Sequence, residues 1–272
     1  MSQAPDMGTM KITILGSGTC VPSLTRSSCS VLIEIESAKF VFDMGAGTIR
    51  RLLECGITIG EVSHIFFSHF HPDHIGELVS FLFASKYPGG TRRRDRLKIT
   101  AASGFLDFYE GLKKVYGRWI ELEEGIVEIF EMSNSGPDRM RLGIANITTF
   151  PMNHIESSIG YRITTPDDSS IVYTGDTDSC ENAVRLAMGA DLLICESSFP
   201  DGSKIDGHLT PSLAGSIASE AGVENLVLTH FYPDCDKIDI EAQCRKTYNG
   251  NVVCAEDFMQ MEIKDGYCRF QP

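Results

Sequence analysis

The sequence predicts a single layered α/β domain, and three observations carry that prediction. Short apolar runs, the mark of buried strands, alternate along the chain with segments that show helix start and stop signals. Residues with ligand chemistry (a histidine cluster from His69, then His154, Asp176 and His230) each stand just past the carboxyl end of such a run. In layered α/β proteins that edge is where ligands gather. No linker-like or low-complexity stretch divides the 272 residues, a length that would otherwise allow two domains. The expected division is a polar leader or cloning remnant over 1–10, ahead of a natural start at Met10, and one domain over 11–272.

The elements follow in order. Residues 12–15, 29–35 and 40–42 read as strands from their aliphatic and aromatic content. Residues 48–55 read as a helix stopped by Gly56. Residues 65–67 are a buried strand, and Pro72 turns the chain into a helix that runs from Asp73 to Leu82. Residues 105–116 are helical, and 126–130 and 144–150 are strands. The strands 160–164 and 170–174 flank Pro166-Asp167-Asp168, a hairpin signal. Residues 192–195 and 226–229 are buried strands. Between them Thr210 as N-cap and Pro211 in the first turn open a helix that Gly222 ends. Phe67-Ser68-His69-Phe70-His71-Pro72-Asp73 resembles Leu228-Thr229-His230-Phe231-Tyr232-Pro233-Asp234, a match that a duplicated strand-plus-helix unit or chance would produce.

Composition narrows the function classes. Hydrophobic residues make up 42% of the chain, enough for a core without staples. The nine cysteines are odd in number, scattered and without a CxxC pair, which fits a reducing compartment. No apolar run approaches the roughly 20 residues a membrane span needs, so a cytoplasmic protein with no membrane partner is expected. The net charge of −13 lacks the basic surface that phosphate-backbone binding needs. Arg92-Arg93-Arg94-Asp95-Arg96, just after Pro88-Gly89-Gly90, is a local exception. It reads as a loop tip, either a solvated turn or a clamp for an anionic substrate.

The chemistry concentrates in Phe67-Ser68-His69-Phe70-His71-Pro72-Asp73-His74, with three imidazoles and a carboxylate in six residues. In an extended chain residues i and i+2 face the same way, so His69 and His71 can reach one metal ion together. After the turn at Pro72, Asp73 and His74 can face a second ion. Imidazole with carboxylate suits zinc first, and manganese or iron also fit. His64 lies outside the pattern and reads as structural.

HFHPDH, then His154, then Gly175-Asp176-Thr177, then His230, resembles the metallo-β-lactamase superfamily over nearly the whole chain from Met10. The resemblance implies a four-layer αββα sandwich with two divalent metal ions along one edge. It implies His69, His71 and His154 on one ion, Asp73, His74 and His230 on the other, and Asp176 between them. Gly16-Ser17-Gly18-Thr19-Cys20-Val21-Pro22 with Arg26, and Phe42-Asp43-Met44-Gly45-Ala46-Gly47-Thr48, look like the ribonuclease Z group. So do Ser158-Ile159-Gly160-Tyr161 after His154, and Glu196-Ser197-Ser198-Phe199 with Gly207-His208-Leu209-Thr210. That likeness implies a proton-donating pair, His208 held by Glu196, a water handled by Asp73, and Asp43 bracing the histidine loop. Two departures stand out. The long tRNA-gripping arm usual between the third-motif His and the bridging Asp has no room between His154 and Asp176, and the group's usual Glu is Ala46. The expected activity is therefore a compact phosphodiesterase acting on a small anionic phosphodiester or ester, not tRNA end processing. A carboxyl-ester, thioester or lactone hydrolase on the same ligands is the alternative. Dimers are common in that group, so a homodimer is an implied partner.

Overall fold

A computed structural model describes residues 8–86 and 92–271. The first half of the chain forms β1 (Met10–Gly16), β2 (Ser30–Ile35), β3 (Ala38–Phe42), α1 (Thr48–Glu54), β4 (His64–Phe66), α2 (Pro72–Ile75), α3 (Leu78–Lys86), β5 (Leu97–Ala102), α4 (Phe105–Tyr116) and β6 (Val127–Met132). The second half forms β7 (Asp138–Leu142), β8 (Ala145–Pro151), β9 (Ile159–Thr164), β10 (Ser170–Tyr173), α5 (Glu181–Ala187), β11 (Leu192–Glu196), α6 (Pro211–Ala221), β12 (Asn225–Thr229), α7 (Ile240–Cys244) and β13 (Asn251–Cys254). The chain then returns through β14 (Gln260–Lys264) and β15 (Tyr267–Phe270) to the first sheet.

The sheets run β15-β14-β1-β2-β3-β4-β5-β6 and β13-β12-β11-β10-β9-β8-β7. Each combines an antiparallel meander with a parallel run, β3 to β6 in one and β10 to β13 in the other. Period-two alternation decides the layering. In the first sheet Val31, Ile33, Phe40, Phe42 and Phe66 face the second sheet and pack with Ile147, Tyr161, Ile163 and Ile171. Their sequence neighbours Leu32, Val41 and Ile65 face outward onto Leu52 of α1, Phe81 and Leu82 of α3 and Phe105 of α4. Ala183 and Leu186 of α5, with Ala214 and Ile217 of α6, close the far side. The result is the expected αββα sandwich, a single domain with two large apolar interfaces and one continuous inter-sheet core. No helix among the described residues is long and apolar enough to cross a membrane.

Several expectations need correction. The helix expected from Asp73 to Leu82 is two helices, α2 and α3. Glu77 explains the break: its N–H turns to Met44 O at 3.0 Å. Its carboxylate accepts from the N–H groups of Gly47 and Ile49 at 2.8 and 2.7 Å, so it caps α1 instead of staying in line. The strand expected at 65–67 is β4, one residue earlier. Thr210 precedes α6, but its side chain makes no capping hydrogen bond. Strands β5, β7, β13, β14 and β15 and helices α5 and α7 had not been expected. The Asp265-Gly266 turn joining β14 to β15, with φ of 49° and 76°, is a two-residue Asp-Gly hairpin turn.

The internal match at His69 and His230 falls on unlike strands. β4 is second in its parallel run and β12 is third, so the duplicated architecture does not align the two segments. Residues 1–7 of the expected leader lie outside the described residues, while Met10 is a fully buried member of β1 paired with Ile35 and Ile263. Pro88-Gly89-Gly90 also lies outside them. Within the arginine run, Arg93 turns inward to the carbonyls of Ile59 and Val62 and lies over Phe81, and Arg92 pairs with Glu123.

Candidate metal centre

The candidate residues arrive on separate loops at one end of the two sheets. Residues 67–71 leave β4, His154 follows β8, Asp176 follows β10, Glu196 ends β11, and His230 follows β12 with a left-handed φ of 61°. Two glycines let the loops close. A Cβ on Gly45 would stand 2.0 Å from the carbonyl of Asp73. One on Gly175, itself at φ 58°, would stand 2.4 Å from Ser68 Cβ. Only glycine fits at either point.

The ring nitrogens converge. His71 Nδ1 lies 3.0 Å from His69 Nε2 and 3.1 Å from His154 Nε2. His74 Nε2 lies 3.1 Å from His230 Nε2. Asp176 stands between the two sets, with Oδ2 3.7 and 3.8 Å from the Nε2 atoms of His69 and His154. Its Oδ1 is 3.3 and 3.4 Å from those of His74 and His230. Asp73 Oδ2 completes the second set at 3.6 Å from His230.

Hydrogen bonds on the far side of each ring decide where its proton sits. Ser68 Oγ donates to Asp43 Oδ2 at 2.7 Å and is therefore the acceptor for His69 Nδ1–H at 3.0 Å. His74 Nδ1–H donates to Asp43 Oδ2 at 2.7 Å. His154 Nδ1–H donates to Gly207 O at 2.8 Å. Ser198 Oγ donates to Glu196 and accepts from His230 Nδ1–H at 2.9 Å. All four rings therefore keep a proton on Nδ1 and turn Nε2 toward Asp176. Ring nitrogens this close, about 3 Å apart, need a cation between them, either a proton or a metal ion. Ligand nitrogens around an ion at roughly 2.0–2.1 Å stand about this far apart. Asp176 Oδ1 is buried and has no hydrogen-bond partner. The donor set fits divalent metal ions. His69, His71, His154 and Asp176 form one group able to hold an ion, and Asp73, His74 and His230 form another.

The electrostatics agree. Burial holds His69 well below the ordinary imidazole value, so it is neutral as a ligand must be. For His74 burial also pulls down, but the carboxylates of Asp176 and Asp43 outweigh it and hold the ring well above its usual value. Burial would raise Asp176, yet the charges of His230 and His74 keep it well below the carboxylate range. A raised His74 beside a lowered Asp176 places a proton on His74 as the positive charge that Asp176 faces, and a metal ion bound there would displace that proton.

His208 stands beside this group, its Nδ1 3.1 Å from Glu196 Oε1 and 3.9 Å from Asp176 Oδ2. Glu196 is fixed by the N–H groups of Thr177 and Leu209 at 2.7 and 3.1 Å. Burial opposes the charge on His208, but the hydrogen bond and charge of Glu196 prevail and raise its pKa. Asp43 braces the histidine loop through the Ser68 N–H at 2.7 Å, and the Tyr173 hydroxyl donates to it at 2.6 Å. His64 lies away from the group, stacked on Phe66. Sequence reasoning missed Ser198, Tyr173 and the hydroxyl of Ser68 as orienting groups. Only the nearness of Ser68 and Ser198 to a ligand or acid hinted at them.

A family model described as Beta-lactamase superfamily domain matches residues 41–231. The chain is similar to Ribonuclease Z of Methanothermobacter thermautotrophicus, with 27% identity over 94% of this chain and 97% of that one. It is 30% identical to an uncharacterized protein of Mycobacterium tuberculosis, over 92% of each. Among solved structures it resembles the metallo-beta-lactamase fold protein YhfI from Bacillus subtilis, with a TM-score of 0.79 and 22% identity, covering 94% of this chain and 99% of that one.

Proposed function

Since the chain belongs to the β-lactamase superfamily and has the metallo-β-lactamase fold, we propose that it is a metal-dependent phosphodiesterase acting on a small anionic diester. The observation that carries this reading is the two-sided carboxylate of Asp176, with Oδ2 toward His69 and His154 and Oδ1 toward His74 and His230. In this reading His69, His71 and His154 hold one divalent ion, Asp73, His74 and His230 hold a second, and Asp176 is shared. Zinc is the first candidate, and manganese and iron suit the same donors. When bound, such ions polarise phosphoryl oxygens and make water a nucleophile near neutral pH.

The chain's own residues supply the rest. Asp73 Oδ2 accepts from the Cys20 N–H at 3.1 Å, which fixes the carboxylate where it orients the attacking water and takes its proton. His208 keeps its Nδ1–H on Glu196 and gives the Nε2 proton to the departing alkoxide. A general acid matters most for a basic leaving group, so the His208–Glu196 pair favours phosphodiesters over activated esters. Relatives named Ribonuclease Z point the same way. Extended tRNA is not the proposed substrate. Hairpin β9–β10 pairs Thr164 directly with Ser170 and fills the interval between His154 and Asp176, and the chain carries a net charge of −13.

The test is hydrolysis of bis(p-nitrophenyl) phosphate by chelator-treated protein titrated separately with zinc, manganese and iron(II). Turnover that saturates near two ions per chain is the expected result. Cleavage of thioesters or lactones without any diester turnover would replace the reading with a carbonyl hydrolase.

A further inference from the structure

A second cavity, of about 250 Å³, lies at the other end of the same strands, between the start of β4 and the β7–β8 turn. His64 opens β4 and His69 follows its end, so roughly 16 Å of extended chain separates the cavity from the candidate metal centre. Phe40, Leu142 and Ile144 give it apolar walls. Arg96 and Lys98 stand on its rim, and neither has an ion-pair partner among the described residues. The Lys98 ammonium lies over the Phe130 ring, 6.0 Å from its centre, and Glu128 is its register partner on β6. Glu36 is the single acid on that rim.

His64 is the unusual wall. It is 1% exposed. Its Nε2 meets Thr100 Oγ1 at 2.7 Å, while its Nδ1 is buried with no hydrogen-bond partner. A buried polar atom left unpaired costs on the order of 1–3 kcal/mol and calls for an explanation. The Thr100 hydroxyl can donate to Met140 Sδ, at 3.6 Å, or to His64 Nε2. In the second arrangement the imidazole proton moves to Nδ1, which then has a hydrogen to offer.

We propose that this cavity binds a small amphiphilic monocarboxylate, its hydrocarbon body among Phe40, Leu142 and Ile144 and its carboxylate between Arg96 and Lys98. Size agrees: an apolar cavity of about 150 Å³ takes benzene, so this one takes a short chain or a substituted ring. Charge agrees as well. Glu36 is the one acid among the lining residues and Glu128 stands beside Lys98, so the excess positive charge is at most one, which suits a carboxylate better than a phosphate dianion. The guanidinium fork of Arg96 matches a carboxylate in shape. The site is independent of the hydrolytic reading, because none of its residues belongs to the centre at the other edge.

The experiment is isothermal titration of metal-loaded protein with octanoate and, separately, with 1-octanol. Octanoate binding at least tenfold tighter than octanol is expected. Arg96→Glu combined with Lys98→Glu should weaken octanoate at least tenfold, and Ile144→Trp, which fills the cavity, should abolish binding. Since carboxylates also ligate metal ions, the titration is repeated after chelation, where unchanged affinity is expected. Equal binding of octanol, full affinity in the charge-reversed variant, or loss of binding with the metals would each overturn the proposal.

Discussion

His74 and Asp43 meet at 2.7 Å with neither side chain exposed. The contact fixes the His74 proton on Nδ1 and leaves Nε2 for Asp176 and the site beyond it. Asp43 also holds the Ser68 N–H and hydroxyl, so one carboxylate orients both His69 and His74. Its own φ of 58° is a left-handed backbone uncommon outside glycine and asparagine. Asp43→Asn should therefore keep the fold and weaken metal affinity about 10–100-fold, as loss of such an outer partner does elsewhere. Competition with a chromophoric chelator measures this. An unchanged affinity would remove Asp43 from the proposed design.

His208→Ala tests the acid. Metal content should be unaffected. Rate on a diester with an alkyl leaving group should fall by roughly 10²–10⁴, the usual contribution of general acid–base catalysis. Rate on bis(p-nitrophenyl) phosphate, whose leaving group needs little protonation, should fall much less. Equal losses on both substrates would rule out the proton-donor role.

Gly45→Ala tests the close approach of loops. The added methyl would stand 2.0 Å from the Asp73 carbonyl and 2.5 Å from Ser28 Cβ. Backbone cannot yield as a flexible side chain would, so α2 must shift with Asp73 and His74 on it. A destabilisation of about 2 kcal/mol or more is expected from urea unfolding, together with lower metal content. A variant that matches the parent in both would show that the loops can separate freely.

His64 makes a prediction about acid. Burial, with the nearby Lys98 charge, pushes its pKa down to about 3, so the folded chain keeps the ring neutral. The unfolded chain protonates it near the ordinary value of about 6.5. Between these values the unfolded state binds the extra proton, so this contribution to stability is fully present above about pH 6.5 and is lost as pH falls toward 3. Replacing His64 with Phe, which keeps the stack on Phe66, removes that dependence. Urea midpoints at several pH values between 4 and 7 should show a flatter slope for the variant, by up to one proton or about 1.4 kcal/mol per pH unit. Parallel slopes would mean that the ring titrates alike in both states.

The residues that were hard to read share a cause. Ser198, Tyr173 and Ser68 are ordinary hydroxyl residues on or beside apolar strands, and locally only the nearness of Ser68 to His69 and of Ser198 to Glu196 marks them. They matter because Tyr173 reaches Asp43 across the inter-sheet core, and because Ser198 falls between Glu196, His208 and His230. The C-terminal strands are half legible: Asp265-Gly266 marks their turn, but their place in the sheet is not local. β14 gains its place by pairing with β1, the first strand of the chain, and that partner is invisible to any window around residue 260. Glu77 shows the reverse error: a helical pattern continued through it, but Met44 and the start of α1 claimed its backbone and carboxylate.

Sequence by itself determined the kinds of candidate ligand and their placement at strand ends, because both are local. The spacing of His69, His71, Asp73 and His74 follows from the geometry of a strand, a proline turn and one helical turn. The alternation of Val31, Leu32 and Ile33 dictates that β2 is covered on both faces. Only the tertiary structure decided which oxygen of Asp176 faces which set of imidazoles, and which nitrogen of each ring carries the proton. Those outcomes depend on separate loops meeting within 4.8 Å, and no stretch of chain contains more than part of that meeting.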